Sequence, residues 1–173
     1  LNPSSAASDV YKRQTDINHA MLEAGRGRRD LQRLAHRLSW CVANAESLSF
    51  DDHSADFVTI AFGLRNVTDR QAALHETYRI LKPGGRFLCL EFSHVQSRPL
   101  AKLYDSFSFN ILPIMGQVIA NDAESYRYLA ESIRTFPSKE MLADMFAEAG
   151  FAQIRVRSLS AGIACIHSGW KLD

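Results

Sequence analysis

Cysteine is scarce in this 173-residue chain. Its three cysteines, Cys41, Cys89 and Cys165, lie far apart and inside apolar runs. An odd count without paired spacing argues against a disulfide framework or a zinc site and points to a reducing compartment. Such residues serve best as small buried hydrophobes. Charge of one sign is lacking too. Twenty Lys and Arg offset nineteen Asp and Glu, leaving a formal net charge of +1. That balance gives no overall pull toward nucleic acid or anionic lipid. No apolar stretch approaches the ~20 residues needed to span a bilayer. No Gly-x-Gly-x-x-Gly is present, which speaks against a nicotinamide dehydrogenase. The six histidines are scattered without ligand spacing, so no metal site is expected. What remains is a chain of 46% hydrophobic residues, enough for one domain with a real core.

Leu1–Gln14 is small and polar, then basic, with no signal-peptide core and no helical or strand period. It reads as a non-native leader of the kind found at the ends of assembled reading frames, with 15–173 as the C-terminal part of one domain. Thr15-Asp-Ile-Asn18 precedes a helical pattern in which Met21, Leu22, Leu31, Leu34 and Leu38 can share an apolar side. Arg26, Arg28, Arg29, Arg33 and Arg37 make this stretch basic, but no aromatics interleave them, so a solvated helix face is the better reading than a nucleic-acid patch. A short strand is expected at Leu38–Val42.

Asp56–Ser93 carries the most information. An apolar strand at Phe57–Phe62 runs into Gly63-Leu-Arg-Asn66. A helix opens with capping-box spacing at Thr68–Gln71 and buries Leu74, Tyr78 and Leu81. Pro83 and Gly84-Gly85 end it, and a second apolar strand covers Arg86–Phe92. Near-continuous apolar strands suit a parallel sheet covered on both faces. Ligands of such sheets bind beyond the strands' carboxyl ends, which is where Gly63, Arg65 and Asn66 fall. Leu100, Leu103, Tyr104, Phe107 and Ile111 form a helical apolar stripe, readable as sheet packing or as cover for a greasy substrate. A polar, aromatic helix spans 121–134. Ser138 caps another helix whose apolar side is Met141, Leu142, Met145 and Phe146, stopped by Gly150. The strands Ala152–Ser160 and Gly162–Trp170 are joined too tightly to be parallel, so the chain closes on an antiparallel hairpin.

Ala43-Asn-Ala-Glu46, Thr59-Ile-Ala-Phe-Gly-Leu-Arg-Asn-Val67, Tyr78-Arg-Ile-Leu-Lys-Pro-Gly-Gly85, Leu90-Glu-Phe-Ser93 and Asn121-Asp-Ala-Glu-Ser-Tyr-Arg-Tyr-Leu-Ala-Glu-Ser-Ile133 together resemble the ubiquinone/menaquinone biosynthesis C-methyltransferases of the UbiE type. Leu-Lys-Pro-Gly-Gly is common among methyltransferases. Phe-Gly-Leu-Arg-Asn and the 121–133 stretch are far more specific, and the likeness runs from Thr15 to the C-terminus.

The resemblance implies a class I S-adenosylmethionine-dependent, Rossmann-like α/β fold. It is mostly parallel with a C-terminal antiparallel hairpin, and its first strand and glycine-rich loop are missing. It implies S-adenosyl-L-methionine as cofactor and a polyprenyl quinol as substrate. It implies a cytoplasmic site with peripheral contact at the inner membrane, no nucleic-acid partner, and room for a quinone-biosynthesis complex or a homodimer. Asp16 matches the acid that holds the ribose hydroxyls, Asn44 and Ala45 the pair at the adenine end, and Ala61 a position near the cofactor. Arg65 and Asn66 are the expected catalytic pair. Asp122, Tyr126, Arg127 and Tyr128 are the expected quinol-pocket residues. The alternatives for Arg65 and for Tyr126–Tyr128 are loop bracing and ordinary helix packing. Rival functions are a methyltransferase for another acceptor and a non-catalytic component of a quinone-synthesis complex. With no glycine-rich loop upstream of Asp16, calorimetry of this 173-residue chain should find S-adenosylmethionine binding weaker than micromolar, or none; micromolar affinity would refute that expectation.

Overall fold

The computed structural model describes residues 11–28, 31, 35–93 and 123–173. The Leu100–Ile111 stripe, Leu34 and Asp122 lie outside the described residues. The described chain forms two compact units, 1–49 and 50–173.

In the first unit, β1 (Lys12–Asp16) pairs in parallel with β2 (Leu38–Val42), Asp16 standing opposite Val42. The strand β1 corrects the sequence reading, which found no strand period before Thr15. Its first three residues are exposed and none of the five is fully buried, so burial imprinted no alternation on its sequence. Helix α1 (His19–Arg26) follows β1, and the Asn18 side chain accepts from Ala20 N–H as its N-cap. Leu22 is its buried residue. Gly25 is needed here, because a Cβ would stand 2.6 Å from the Trp40 ring. Arg26 pairs with Glu23 at 2.7 Å, which fits a solvated helix face for that arginine.

The second unit is a four-stranded sheet in the order β3-β4-β6-β5. Strand β3 (Ala55–Ala61) pairs in parallel with β4 (Leu81–Phe92), and between them runs α2 (Arg70–Ile80). The α2 N-cap is Asp69, whose Oδ1 accepts from Ala72 N–H at 2.9 Å, and not Thr68 as the capping-box spacing suggested. Leu74 and Leu81 are buried as expected, while Tyr78 is half-buried. The ladder places Ala55 opposite Leu81 and then Phe57 opposite Arg86, so Lys82–Gly85 loop out of it. Gly84 turns that loop at φ +77°, a left-handed value that favours glycine.

Strand β6 (Ala164–Trp170) pairs antiparallel with both β4 and β5 (Ala152–Leu159). The closing hairpin is therefore present, turning on Ser160, Ala161 and Gly162, all at positive φ. Helix α3 (Ala123–Thr135) precedes α4 (Lys139–Glu148). Ser138 caps α4 by accepting from Met141 N–H.

Apolar side chains alternate along β4. Phe87 and Cys89 point to a core where Phe87 stacks on Phe146 at 5.1 Å and Phe151 lies 5.3 Å from Phe146. Met141 is 58% exposed and stands off the apolar side assigned to it. Phe146→Ala should cost about 3–5 kcal/mol, because ring and contacts vanish together. Met141→Ala should stay within about 0.5 kcal/mol, as surface changes do. Urea unfolding of both variants checks the contrast.

Candidate functional site

Strands β3 and β4 run in parallel, so the chain leaves both at one end of the sheet. Phe62 N–H closes the ladder on Leu90 C=O at 2.9 Å, and Phe62 takes φ +54°. A bulky residue in this left-handed region costs roughly 1–2 kcal/mol. The turn it makes leads into a single 3-10 turn, Leu64–Asn66. Leu64 is buried beneath the turn, and Arg65 is thrown back over the strand ends.

Arg65 is held on several sides. One terminal nitrogen donates to Phe62 C=O and, at 3.1 Å, to Glu91 Oε1. Its guanidinium lies 5.4 Å from the Phe92 ring centroid. Its own carbonyl accepts from Arg70 at 3.2 Å, and the Arg70 guanidinium stacks over Phe136 at 5.4 Å. Arg65 is 12% exposed and Glu91 1%. Burial pushes the Glu91 carboxyl above its ordinary range, against the opposing pull of Arg65 and, more weakly, Arg70. Glu91 Oε2, Ser93 Oγ and Arg65 Nε are buried and have no hydrogen-bond partner among the described residues.

Next to Arg65, Asn66 is exposed, and its Oδ1 accepts from Tyr128 O–H at 3.2 Å. Arg65, Asn66 and Tyr128 thus gather at one place. Arg127 is exposed on α3, and Tyr126 belongs to that helix. Ala61, at the end of β3, is exposed. Sequence reasoning missed Glu91. A lone acid in the apolar run Phe87–Phe92 was the signal that could have found it.

In the first unit, Asp16 and Asn44 stand at one end of their own two strands. Asp16 ends β1, where its Oδ1 accepts from Asn18 N–H at 2.8 Å and its carbonyl from Ala43 N–H at 3.1 Å. Asn44 is exposed beyond β2, and its Oδ1 accepts from Glu46 N–H at 3.0 Å, fixing the turn that contains Ala45. A half-exposed carboxylate can take hydroxyl protons, and an exposed amide NH2 group can donate to a base edge. This donor set fits a nucleoside.

The family model of the ubiE/COQ5 methyltransferases matches residues 4–171. The chain belongs to the ubiE/COQ5 methyltransferase family. Among the relatives of this family is the ubiquinone/menaquinone biosynthesis C-methyltransferase UbiE of Cereibacter sphaeroides. It is 51% identical over 157 residues, which are 91% of this chain and 63% of that protein. The mitochondrial 2-methoxy-6-polyprenyl-1,4-benzoquinol methylase of Gallus gallus is 54% identical over 157 residues, 91% of this chain and 50% of the relative. The chain therefore spans about three-fifths or less of the length of these two relatives. Among solved structures, Haemonchus contortus phosphoethanolamine N-methyltransferase 2, in complex with S-adenosyl-L-methionine, superposes with a TM-score of 0.65. It is 15% identical over 98% of this chain and 45% of that one. The likeness supports the class I Rossmann-like fold, which the parallel strand pairs and closing hairpin display.

The raised Glu91 pKa has a consequence for stability. A carboxyl whose folded pKa lies above its unfolded value stabilises the fold most below the unfolded value, about 4, and loses that contribution as pH rises through the folded value. Glu91→Gln removes this slope. The urea midpoint of the variant should therefore gain on that of the parent as pH rises across this window. The opposite trend would show that the Arg65 pair outweighs burial.

Proposed function

We propose that the family activity of this chain is S-adenosylmethionine-dependent C-methylation of a polyprenylated benzoquinol or demethylmenaquinol. The observation that carries this reading is Arg65, beside Asn66 and Tyr128 at the carboxyl ends of parallel strands, in a chain 51–54% identical to proteins named for quinone methylation.

Bound S-adenosylmethionine would supply an activated methyl group on a sulfonium, whose charge disappears as the new bond forms. Asp16 would accept from the ribose hydroxyls, Asn44 and Ala45 would border the adenine, and Ala61 would offer only shape. The chain's catalytic work falls on the acceptor. A quinol ring carbon becomes electron-rich when the hydroxyl beside it ionises, and a phenol ionises near pH 10 unless a cation favours the phenolate. Arg65 is that cation. A guanidinium stays protonated, so it stabilises the oxyanion and takes no proton itself. Asn66 orients the ring oxygen, with its amide fixed by Tyr128. Tyr126, Arg127 and Asp122 border the ring in this reading. Holding both reactants in line is worth roughly 7–11 kcal/mol in well-oriented systems. The isoprenoid tail needs only apolar surface, at about 0.8 kcal/mol per buried methylene.

A lipid substrate implies peripheral contact with the inner membrane from the cytoplasmic side. No described helix is long and apolar enough to cross a membrane. A quinone-biosynthesis complex or a homodimer accords with this reading.

The test uses a chimera in which this chain is completed with the part of the Cereibacter relative that it does not cover. The chimera should transfer a labelled methyl group to a demethylquinol. Arg65→Ala should cut turnover by at least about tenfold. No transfer by the chimera overturns the reading, and unchanged turnover in Arg65→Ala removes Arg65 from the mechanism.

A further inference from the structure

Glu91 is an acid in a place built for apolar side chains. Phe87, Cys89 and Glu91 follow one another on the inward face of β4, and the first two are core. On β6 its ladder partner is Cys165, also buried. An ion pair selected for stability alone would be completed on both oxygens, as bidentate Arg–carboxylate pairs are. Here one arginine nitrogen reaches one oxygen, and Glu91 Oε2 and Arg65 Nε have no partner among the described residues. Apolar replacements of such buried pairs are often neutral or stabilising. The placement is therefore costly and incompletely bonded, next to a strained Phe62 whose carbonyl also holds Arg65.

Resting on the quinol-methylation reading, we infer that Glu91 is the positioning residue for Arg65. It fixes the guanidinium at the strand ends so that its remaining N–H groups are aimed, before substrate arrives, at the oxygen that becomes anionic. Among the described residues Arg65 has three holds: the Phe62 carbonyl, the Phe92 ring and Glu91. Only Glu91 titrates, so the aim of Arg65 depends on pH. Among the described residues, the charged and titratable groups around Glu91 are Arg65 from the 3-10 turn, Arg70 from α2, and the thiols of Cys89 and Cys165. Burial pushes the Cys89 thiol up. His167, the ladder partner of Cys89, donates its Nε2–H to Lys139 C=O at 2.8 Å, and burial lowers its pKa. As pH falls through the raised Glu91 value, the carboxylate is lost and with it one hold on Arg65.

Turnover is measured against pH for the chimera carrying the parent sequence, Glu91→Gln or Glu91→Asp. Gln should lower kcat at least about tenfold, leave KM for S-adenosylmethionine within about twofold, and flatten the acid limb of the kcat profile. Asp, which keeps the charge, should recover part of kcat and retain the limb. Gln within about twofold of the parent, with an unchanged profile, overturns the inference. A second measurement needs neither turnover nor a variant. In the 173-residue chain, NMR of the Arg65 guanidinium should show slow rotation about Nε–Cζ above the Glu91 pKa and fast rotation below it. Rotation that does not change with pH overturns the inference. If the parent chimera transfers no methyl group, the quinol reading fails, and the guanidinium measurement still decides whether Glu91 positions Arg65.

Discussion

A carboxylate buried on the inner face of β4 dictates what surrounds it. Taking Glu91 out of water costs several kcal/mol unless a cation meets it. The cation that bonds it comes from the turn following β3, the parallel neighbour of β4. The chain meets this demand by breaking β3 at Phe62, paying a left-handed backbone for the sharp turn, and sending Arg65 back over the strand ends. Leu64, buried under the same turn, pins it to the core. Arg70 then braces the turn through the Arg65 carbonyl while resting on Phe136, which joins α2 to the segment after α3. Removal of the acid would leave this arrangement without a reason.

The same chain of contacts explains why Asn66 and Tyr128 lie where they do. Asn66 is the last residue of the turn that Arg65 requires, so its amide emerges at the rim. Tyr128 reaches it from α3 with its hydroxyl. An exposed tyrosine hydroxyl spends little by holding one amide, and it removes the amide's freedom to flip. In the other unit, Asp16 and Asn44 obey a simpler rule. Two parallel strands in register deliver their carboxyl-end loops to one edge, and the Ala43–Asp16 backbone contact ties those loops together.

Much of this was legible because burial imprints itself on sequence. Leu38–Val42 emerged with its bounds intact, and the closing hairpin followed from a connection too short for a parallel return. The strand Lys12–Asp16 left no such mark, because it is largely exposed and its ladder is held by backbone groups that any side chain would leave in place. Asp69 displaced Thr68 as the cap because both residue types serve, and backbone geometry alone chose between them. Met141 had helical spacing yet faces outward, since the apolar side of α4 is satisfied by Leu142 and Phe146.

Glu91 shows the limit of pattern reading most clearly. The run Phe87–Phe92 reads as strand whether position 91 is an acid or an alkyl group, since one residue does not change a period. Its meaning depends on a partner 26 positions earlier in the chain. Periodicity is a local signal, and a charge pair across two parallel strands is not. A charge inside an apolar strand is nonetheless a statement about energy. It obliges the fold to place a cation somewhere within hydrogen-bonding reach, and in a parallel sheet the loops at the strand ends are the segments free to carry one. The arginine in Gly63-Leu-Arg-Asn66 and the acid in Leu90-Glu-Phe-Ser93 were each legible separately. What joins them is the desolvation cost that neither could meet alone.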